Sequence, residues 1–340
     1  PAGKLSPRRF ALPKYRRSTL GLDKIQDDLK KKGVSAVNSV KFNFLNDKPI
    51  THFYTGVWGG DCLGVGVSGE VRKANHKITG TEYAIKRIPL PQKRSSIEAK
   101  KILKQLRDEI EFMCELDHPS IVKIHEVYEA HSEVFIVQEL YRGGDIFDYM
   151  AIEIEKQDNL WHEGLCLPEK QCASLVKQML LAAQCLHSKG IVHRDIKTEN
   201  FMFPTKERTE LKMIDFGLSC RLDNFGFACG AIGTRYSMAP EVLQLRPYNE
   251  TADIWSIGIL AFLMLDSDTP FGSLDEDPET MEQTFTHEIC SSPLVFRDTK
   301  IWSNVSEEGK SFIRRLLRKK PTERPSAAEA LEDPWITRWS

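Results

Sequence analysis

The chain has 340 residues, with 47 Lys and Arg against 48 Asp and Glu and a formal net charge of -1. That length can bury a large core and suggests one bilobal domain or two ordinary ones. The near balance of charge excludes a whole-chain nucleic-acid or membrane-surface binder, and no apolar run approaches the roughly 20 residues of a membrane span or begins the chain as a secretory signal. A soluble, cytoplasmic protein is expected, with membrane association only if a longer N-terminus were lipidated. The eight cysteines are scattered without a C-x-x-C pair, and are read as reduced thiols serving as small apolar filler.

In chain order, residues 1–32 carry ten Lys or Arg against Asp23, Asp27 and Asp28. Leu22, Ile25 and Leu29 recur at helical spacing, Thr19 suits an N-cap, and Lys30 to Lys32 before Gly33 suit a helix end. A short amphipathic helix is therefore predicted within a basic extension, residues 1–50. Docking on the rest of the chain, docking on another protein, and a solvated tail all stay open.

From Thr51 to Leu90 the residues read as strands broken by glycine. Within them Leu63-Gly64-Val65-Gly66-Val67-Ser68-Gly69-Glu70-Val71 spaces its glycines G-x-G-x-x-G, which lets backbone N–H groups approach phosphate oxygens. A ligand-free hairpin fits the same spacing. A dinucleotide fold would require a helix next, where this sequence gives another strand. Tyr83-Ala84-Ile85-Lys86 then puts a lysine on an apolar strand. A helix over Ile97–Glu115 has Ile102, Leu106, Ile110 and Met113 as its apolar face, with Glu109 on the edge of that face and Glu111 pointing away. A carboxylate there either reaches water or takes a cationic partner, and Lys86 is the natural one.

Strand-like runs follow over Val122–Tyr128 and Val134–Leu140. After Gly143-Gly144 the pattern turns helical, with one helix over Glu169–His187 opened by Pro168, and a largely apolar one over Asp253–Leu265. A β-rich lobe, 51–140, thus precedes a helical lobe, 141–340.

The sharpest signal is His193-Arg194-Asp195-Ile196-Lys197-Thr198-Glu199-Asn200, followed some twenty residues later by Asp215-Phe216-Gly217. With the glycine segment, Tyr83 to Lys86, and Met238-Ala239-Pro240-Glu241, these resemble the protein-kinase signature set in order and separation, over about residues 51–337. The resemblance implies an α+β bilobal fold, with a small antiparallel β-rich N-lobe holding one key helix and a larger, mainly helical C-lobe.

It also implies roles. Asp195 accepts the proton of a substrate hydroxyl, Lys197 sits near the transferring phosphoryl group, and Asn200 and Asp215 hold Mg²⁺. Lys86, held by Glu109, grips the α- and β-phosphates of ATP. Leu63, Gly64, Val65, Gly66, Val67, Ser68 and Gly69 cover the nucleotide. Adenine lies between Val71 and Ala84 on one side and Met202 on the other, bonding main-chain groups of Glu139 and Tyr141, with Gln138 behind it, Asp145 near the ribose and Ile214 before the metal-binding Asp215. Lys197, with Gly233-Thr234, resembles serine/threonine rather than tyrosine kinases. Glu241 is expected to pair with Arg324, and Asp253 and Trp255 to open the helix supporting the catalytic loop.

Arg107 to Pro119, Arg142 to Asp148, and Arg324 to Ile336 resemble the calmodulin-kinase group, especially calcium-dependent protein kinases. No EF-hand loop occurs, since Asp275-Glu276-Asp277-Pro278 lacks the turn glycine, so a calcium-sensing module would be a partner outside this chain. Four positions depart from the family pattern: Ser68 for an aromatic, Thr198 for proline, Ser237 for tyrosine and Ser267 for glycine. None removes a catalytic group. The stretch Ala151–Leu167 is longer than usual and reads as a surface insertion, inert or partner-binding. Between Gly217 and Gly233 the only hydroxyl side chain is Ser219, so the loop is expected to order without a phosphate. Protein substrates are expected, with Glu199 and Asp145 attracting a basic residue N-terminal to the target hydroxyl. Arg16-Arg17-Ser18-Thr19 fits that preference as an autophosphorylation site. The rival reading is a pseudokinase scaffold that binds nucleotide and regulates a partner; intact Lys86, Asp195, Asn200 and Asp215 argue against it.

Overall fold

The computed structural model describes residues 20–34, 40–43, 48–66, 69–93, 95–156, 166–272, 286–296 and 300–339. Val67, Ser68, the Arg16 to Thr19 motif, the acidic run Asp275 to Pro278 and the middle of the 151–167 insertion lie outside them. The chain divides into two compact units, Pro1–Arg107 with Ile124–Glu139, and Asp108–Lys123 with Leu140–Ser340.

The first unit is built on one seven-stranded sheet. In chain order its strands are β1 (Lys41–Asn43), β2 (Tyr54–Thr55), β3 (Cys62–Gly66), β4 (Gly69–His76), β5 (Glu82–Pro89), β6 (Ile124–Glu129) and β7 (Glu133–Glu139). They lie in the order β1-β6-β7-β5-β4-β2, with β3 also on β4. All pairs are antiparallel except β1 with β6, where Lys41 faces Glu126 and Asn43 faces Tyr128. This parallel edge strand is an addition to the expected antiparallel lobe. A core of Ile50, Tyr54, Val57, Ala74, Ile85, Tyr128, Phe135 and Val137 packs within the unit.

The basic extension does not trail in solvent. Helix α1, Leu22–Lys31, buries Leu22, Ile25 and Leu29, and Leu20 N donates to the buried Glu129 at 3.1 Å. Its N-cap is Gly21, at φ 73° and with no side-chain cap, rather than Thr19; glycine reaches that left-handed conformation at little cost, so the chain turns into the helix without a hydroxyl cap. Two short pieces, a helix and a three-residue strand, thus tie the extension to the first unit.

Helix α2 is Ile50–Phe53, and helix α3, Ile97–Glu115, follows the expected span. Its buried stripe is Ala99, Leu106, Glu109, Ile110 and Met113, whereas Ile102, expected on that stripe, stands exposed. Ala99 and Leu106 flank it two turns apart, and burial is continuous only from Leu106 onward.

In the second unit, α4 (Ile146–Glu155) precedes α5 (Glu169–His187), which Pro168 caps as expected. The short strands β8 (Ile191–Val192), β9 (Phe201–Met202), β10 (Lys212–Met213) and β11 (Cys220–Arg221) pair as β8 with β11 and β9 with β10. Helix α6, Pro240–Leu243, is followed by α7, Thr251–Asp266, of which every residue from Ala252 to Asp266 is buried, as an all-round apolar helix requires. Glu241 and Arg324 form the expected pair, with Nη1–Oε1 at 2.6 Å and Nη2–Oε2 at 2.7 Å. Further Arg324 donors reach the carbonyls of Arg318, Thr251 and Lys319, so this buried pair leaves no guanidinium group unsatisfied.

All eight cysteines are free thiols, but only Cys114, Cys166 and Cys172 are buried. Burial pushes Cys114 and Cys166 up to about 12. Cys62 and Cys229 are exposed and do not serve as filler.

Candidate active site

Strand β8 leads into His193-Arg194-Asp195. The N–H groups of His193 and Arg194 both donate to the Asp253 carboxylate, at 2.9 and 3.0 Å, and His187 Nε2 meets its Oδ2 at 2.9 Å. Burial alone would raise the Asp253 carboxyl; the hydrogen bond and charge of His187, with those from His193, hold it below its ordinary value. Arg194 is a non-glycine residue at φ 69°, a conformation costing about 1 kcal/mol or more. The two N–H bonds to Asp253 and the Arg194 Nε bond to Leu218 O at 2.6 Å over-determine it.

That turn aims Asp195, whose carboxylate is almost fully occupied. Thr234 Oγ1 donates to its Oδ1 at 2.7 Å, and Lys197 Nζ and Asn200 Nδ2 reach its Oδ2 at 3.0 and 3.1 Å. Asn200 Nδ2 also donates to Asp195 O at 2.8 Å. Both amide hydrogens are thus spent on Asp195, and the Asn200 carbonyl oxygen is turned away. Gly233, at φ 120°, lies so close under the loop that a Cβ would fall 2.1 Å from Arg194 O; only glycine lets Thr234 approach Asp195.

Ile214 N donates to Asn200 O at 3.0 Å, which sets Asp215 beside Asn200. Gly217 N donates to Asp215 Oδ1 at 3.0 Å. Buried Phe216 packs its ring edge-on against His193, with centroids 5.5 Å apart. Glu109 is buried, and a Cβ on Gly217 would sit 3.6 Å from its Oε2. Met202 bridges to Asp145. Asp145, expected near a ribose, is also the N-cap of α4: its Oδ1 accepts from Asp148 N at 2.8 Å in a reciprocal capping box. Burial raises its carboxyl, and the charges of Asp148 and Glu199 add to this.

In the first unit the ladder does the arranging. Val71 faces Lys86, Ala84 faces Gln138, and Ala84 and Lys86 are two apart on β5, so Val71, Ala84, Lys86 and Gln138 share one face of the sheet. Ala84 and Lys86 are buried there. Leu63, Gly64, Val65 and Gly66 lie on β3, which is exposed throughout. Gly69 opens β4, where a Cβ would fall 2.0 Å from Arg87 O. Glu139 ends β7 and Tyr141 follows it.

Sequence reasoning named Asp253 but not His187, nor the clamp in the segment after Gly217. There Asp223 Oδ1 accepts from Phe225 N and Phe227 N, both at 2.9 Å, Ala228 bridges to Tyr248, and the Tyr248 hydroxyl donates to Gly230 O at 3.2 Å and bonds Arg194. The only cue was an aspartate two residues before an aromatic in a glycine-containing turn.

A family model described as protein kinase domain matches residues 59–336, and the chain belongs to that family. The mouse protein named death-associated protein kinase 2 is 34% identical over 280 residues, covering 82% of this chain and 70% of its own length. The Dictyostelium discoideum protein named probable serine/threonine-protein kinase fhkC is 33% identical over 82% of this chain but 44% of itself. Among solved structures, the twitchin kinase region from C. elegans superposes with a TM-score of 0.72 at 29% identity, covering 88% of this chain and 50% of the twitchin chain. The fold is therefore the bilobal kinase fold. The matched region is a serine/threonine protein kinase catalytic domain related to death-associated protein kinase 2. Among the described residues no helix is long and apolar enough to cross a membrane.

Proposed function

We propose that this chain transfers the γ-phosphate of ATP to serine and threonine hydroxyls of proteins, with residues 51–340 as the catalytic domain. The reading is carried by the Asp195 carboxylate, fixed by Lys197, Asn200 and Thr234. The substrate oxygen bonds to the γ-phosphorus as the bond to the β–γ bridging oxygen breaks; that electron pair leaves with ADP, and the hydroxyl proton passes to Asp195 and then to solvent. Lys197 offsets charge on the phosphoryl oxygens, Lys86 is the group for the α- and β-phosphates, and adenine rests on Val71 and Ala84.

Protein kinases generally use Mg²⁺, and the donor set suits it. The Asp215 carboxylate and the Asn200 carbonyl oxygen are hard ligands, and among the described residues no larger His, Cys, Asp and Glu cluster competes. Held by Asp215 and Asn200, the ion would supply positive charge to offset that of the phosphates.

The finer assignment is the calcium-dependent branch of the calmodulin-kinase group, with the sensor supplied outside residues 1–340. This chain alone is then expected to work equally in calcium and in chelator. Asp145 and Glu199, close enough for one charge to raise the other's carboxyl, favour substrates with a basic residue N-terminal to the hydroxyl. Incubating the purified chain with radiolabelled ATP, Mg²⁺ and a peptide array tests the whole reading. Label on serine and threonine peptides, enriched where arginine precedes, is expected; MgATP binding without transfer would establish the scaffold reading instead.

A further inference from the structure

Arg221 belongs to none of the kinase motifs, yet it joins three pieces of the second unit. Its Nη2 donates to Glu115 Oε2 at 2.7 Å and its Nη1 to Lys189 O at 2.8 Å. Its guanidinium carbon lies 5.5 Å from the centroid of the buried Phe112 ring. Phe112 and Glu115 form the last turn of α3. Lys189 precedes β8, the strand that delivers the catalytic loop. The backbone is tied to the same strand: Arg221 faces Ile191, Cys220 faces Val192, and Leu222 N donates to Gly190 O at 2.8 Å.

The segment from Asp215 to Arg221 therefore meets α3 twice. Gly217 lies against Glu109, and Arg221 holds Glu115. These glutamates are six residues apart, about 9 Å along the helix axis. One attachment would leave the helix free to swivel; two fix its rotation as well as its position. A guanidinium suits the outer attachment, since its fork donates to a carboxylate and a carbonyl at once while its face rests on an aromatic ring. The Glu115 side chain is 10% exposed and Arg221 is 39% exposed. The tie is thus partly screened, strong enough to bias a helix but not to decide whether the domain folds.

We propose that Arg221 is a positioning residue for phosphoryl transfer, holding the C-terminal turn of α3 so that Glu109 stands correctly beside Asp215-Phe216-Gly217. The inference rests on the roles given above to Glu109 and Asp215. It also gives this segment, which has no hydroxyl side chain between Cys220 and Ile232, an ordering contact that needs no phosphate.

Steady-state peptide phosphorylation by Arg221→Ala, Arg221→Lys, Glu115→Gln and the Arg221→Ala/Glu115→Gln double variant tests it, with thermal midpoints alongside and an Asp195→Asn control. Arg221→Ala should lower kcat about tenfold with KM for the peptide changed less than about twofold, a loss of preorganisation rather than of binding. Arg221→Lys should recover part of the loss. Glu115→Gln should weaken activity too, and the double variant should be no worse than Arg221→Ala, as expected for two groups acting as one contact. Amide hydrogen exchange over residues 108–115 should quicken in Arg221→Ala. Wild-type kcat in Arg221→Ala, losses that add in the double variant, or a loss that follows the thermal midpoint alone would overturn the proposal. If wild type transfers no more phosphate than Asp195→Asn, the underlying kinase reading has failed instead, so the two failures are distinguishable.

Discussion

Strand β3 of the first unit and the catalytic loop of the second are built in opposite ways. Every residue of β3, from Cys62 to Gly66, is exposed, and Val65 is 77% exposed. The strand is held by one neighbour, β4, through a register with a bulge between Cys62 and Gly64. In the catalytic loop His193, Asp195, Thr198 and Asn200 are all buried, and each polar group that aims Asp195 is bonded within its own unit. The difference suits the tasks proposed for the two segments. With so few buried contacts β3 has little to lose on moving, which suits the phosphate-covering role proposed for it. A proton acceptor must stay within a fraction of an ångström of its place, so it is over-determined.

The contrast can be broken most severely at Asp253. Replacing it by alanine orphans the buried N–H groups of His193 and Arg194 and frees a left-handed arginine. Denaturant titration should show stability falling by about 3 kcal/mol, and kcat should drop at least about 100-fold as Asp195 loses its aim. The acid limb sharpens the same point. The folded Asp253 carboxyl lies below its unfolded value, so its stabilisation is complete above the ordinary aspartate range, near pH 4, and is lost as pH falls through the folded value. In Asp253→Asn that part of the acid dependence should vanish, which unfolding followed from pH 6 down to pH 3 would detect.

Next comes Leu29→Ala in α1. Leu29 is fully buried, so stability should fall by about 2–4 kcal/mol, while kcat per folded molecule holds. Equal stability would mean that the extension does not belong to the fold of the first unit. Thr234→Ala removes one of three donors to Asp195 and should cost about tenfold in kcat with stability within about 1 kcal/mol. The smallest effect belongs to the cover: Val65→Ala should leave stability within about 0.5 kcal/mol and raise KM for ATP by less than about threefold.

What could be read from the sequence divides along similar lines. The catalytic loop, the Asp215 segment, α5 and α7 were legible because their residues are consecutive or follow a helical period, and the Glu241–Arg324 pair because the family resemblance supplied it. Strand β1 was not, since three residues carry no period and their pairing with β6 spans 85 positions from Lys41 to Glu126. The same holds for Arg221 with Glu115, 106 residues apart, and for Leu20 with Glu129. Each is a long-range contact that only packing specifies. Asp145 shows a subtler limit. The family resemblance gave it a ribose role, and its second task as an N-cap follows from Asp148 three residues on, a local signal that its ligand role overshadowed.

The central claim is that Asp195, held by Lys197, Asn200 and Thr234, accepts the proton of a substrate hydroxyl. Asp195→Asn keeps the shape and removes the base, so transfer of labelled phosphate to a serine peptide by this variant and by wild type, at matched thermal midpoints, tests it most directly. A fall of about 1,000-fold in kcat with MgATP binding retained is the predicted result. Transfer within a few-fold of wild type would contradict it.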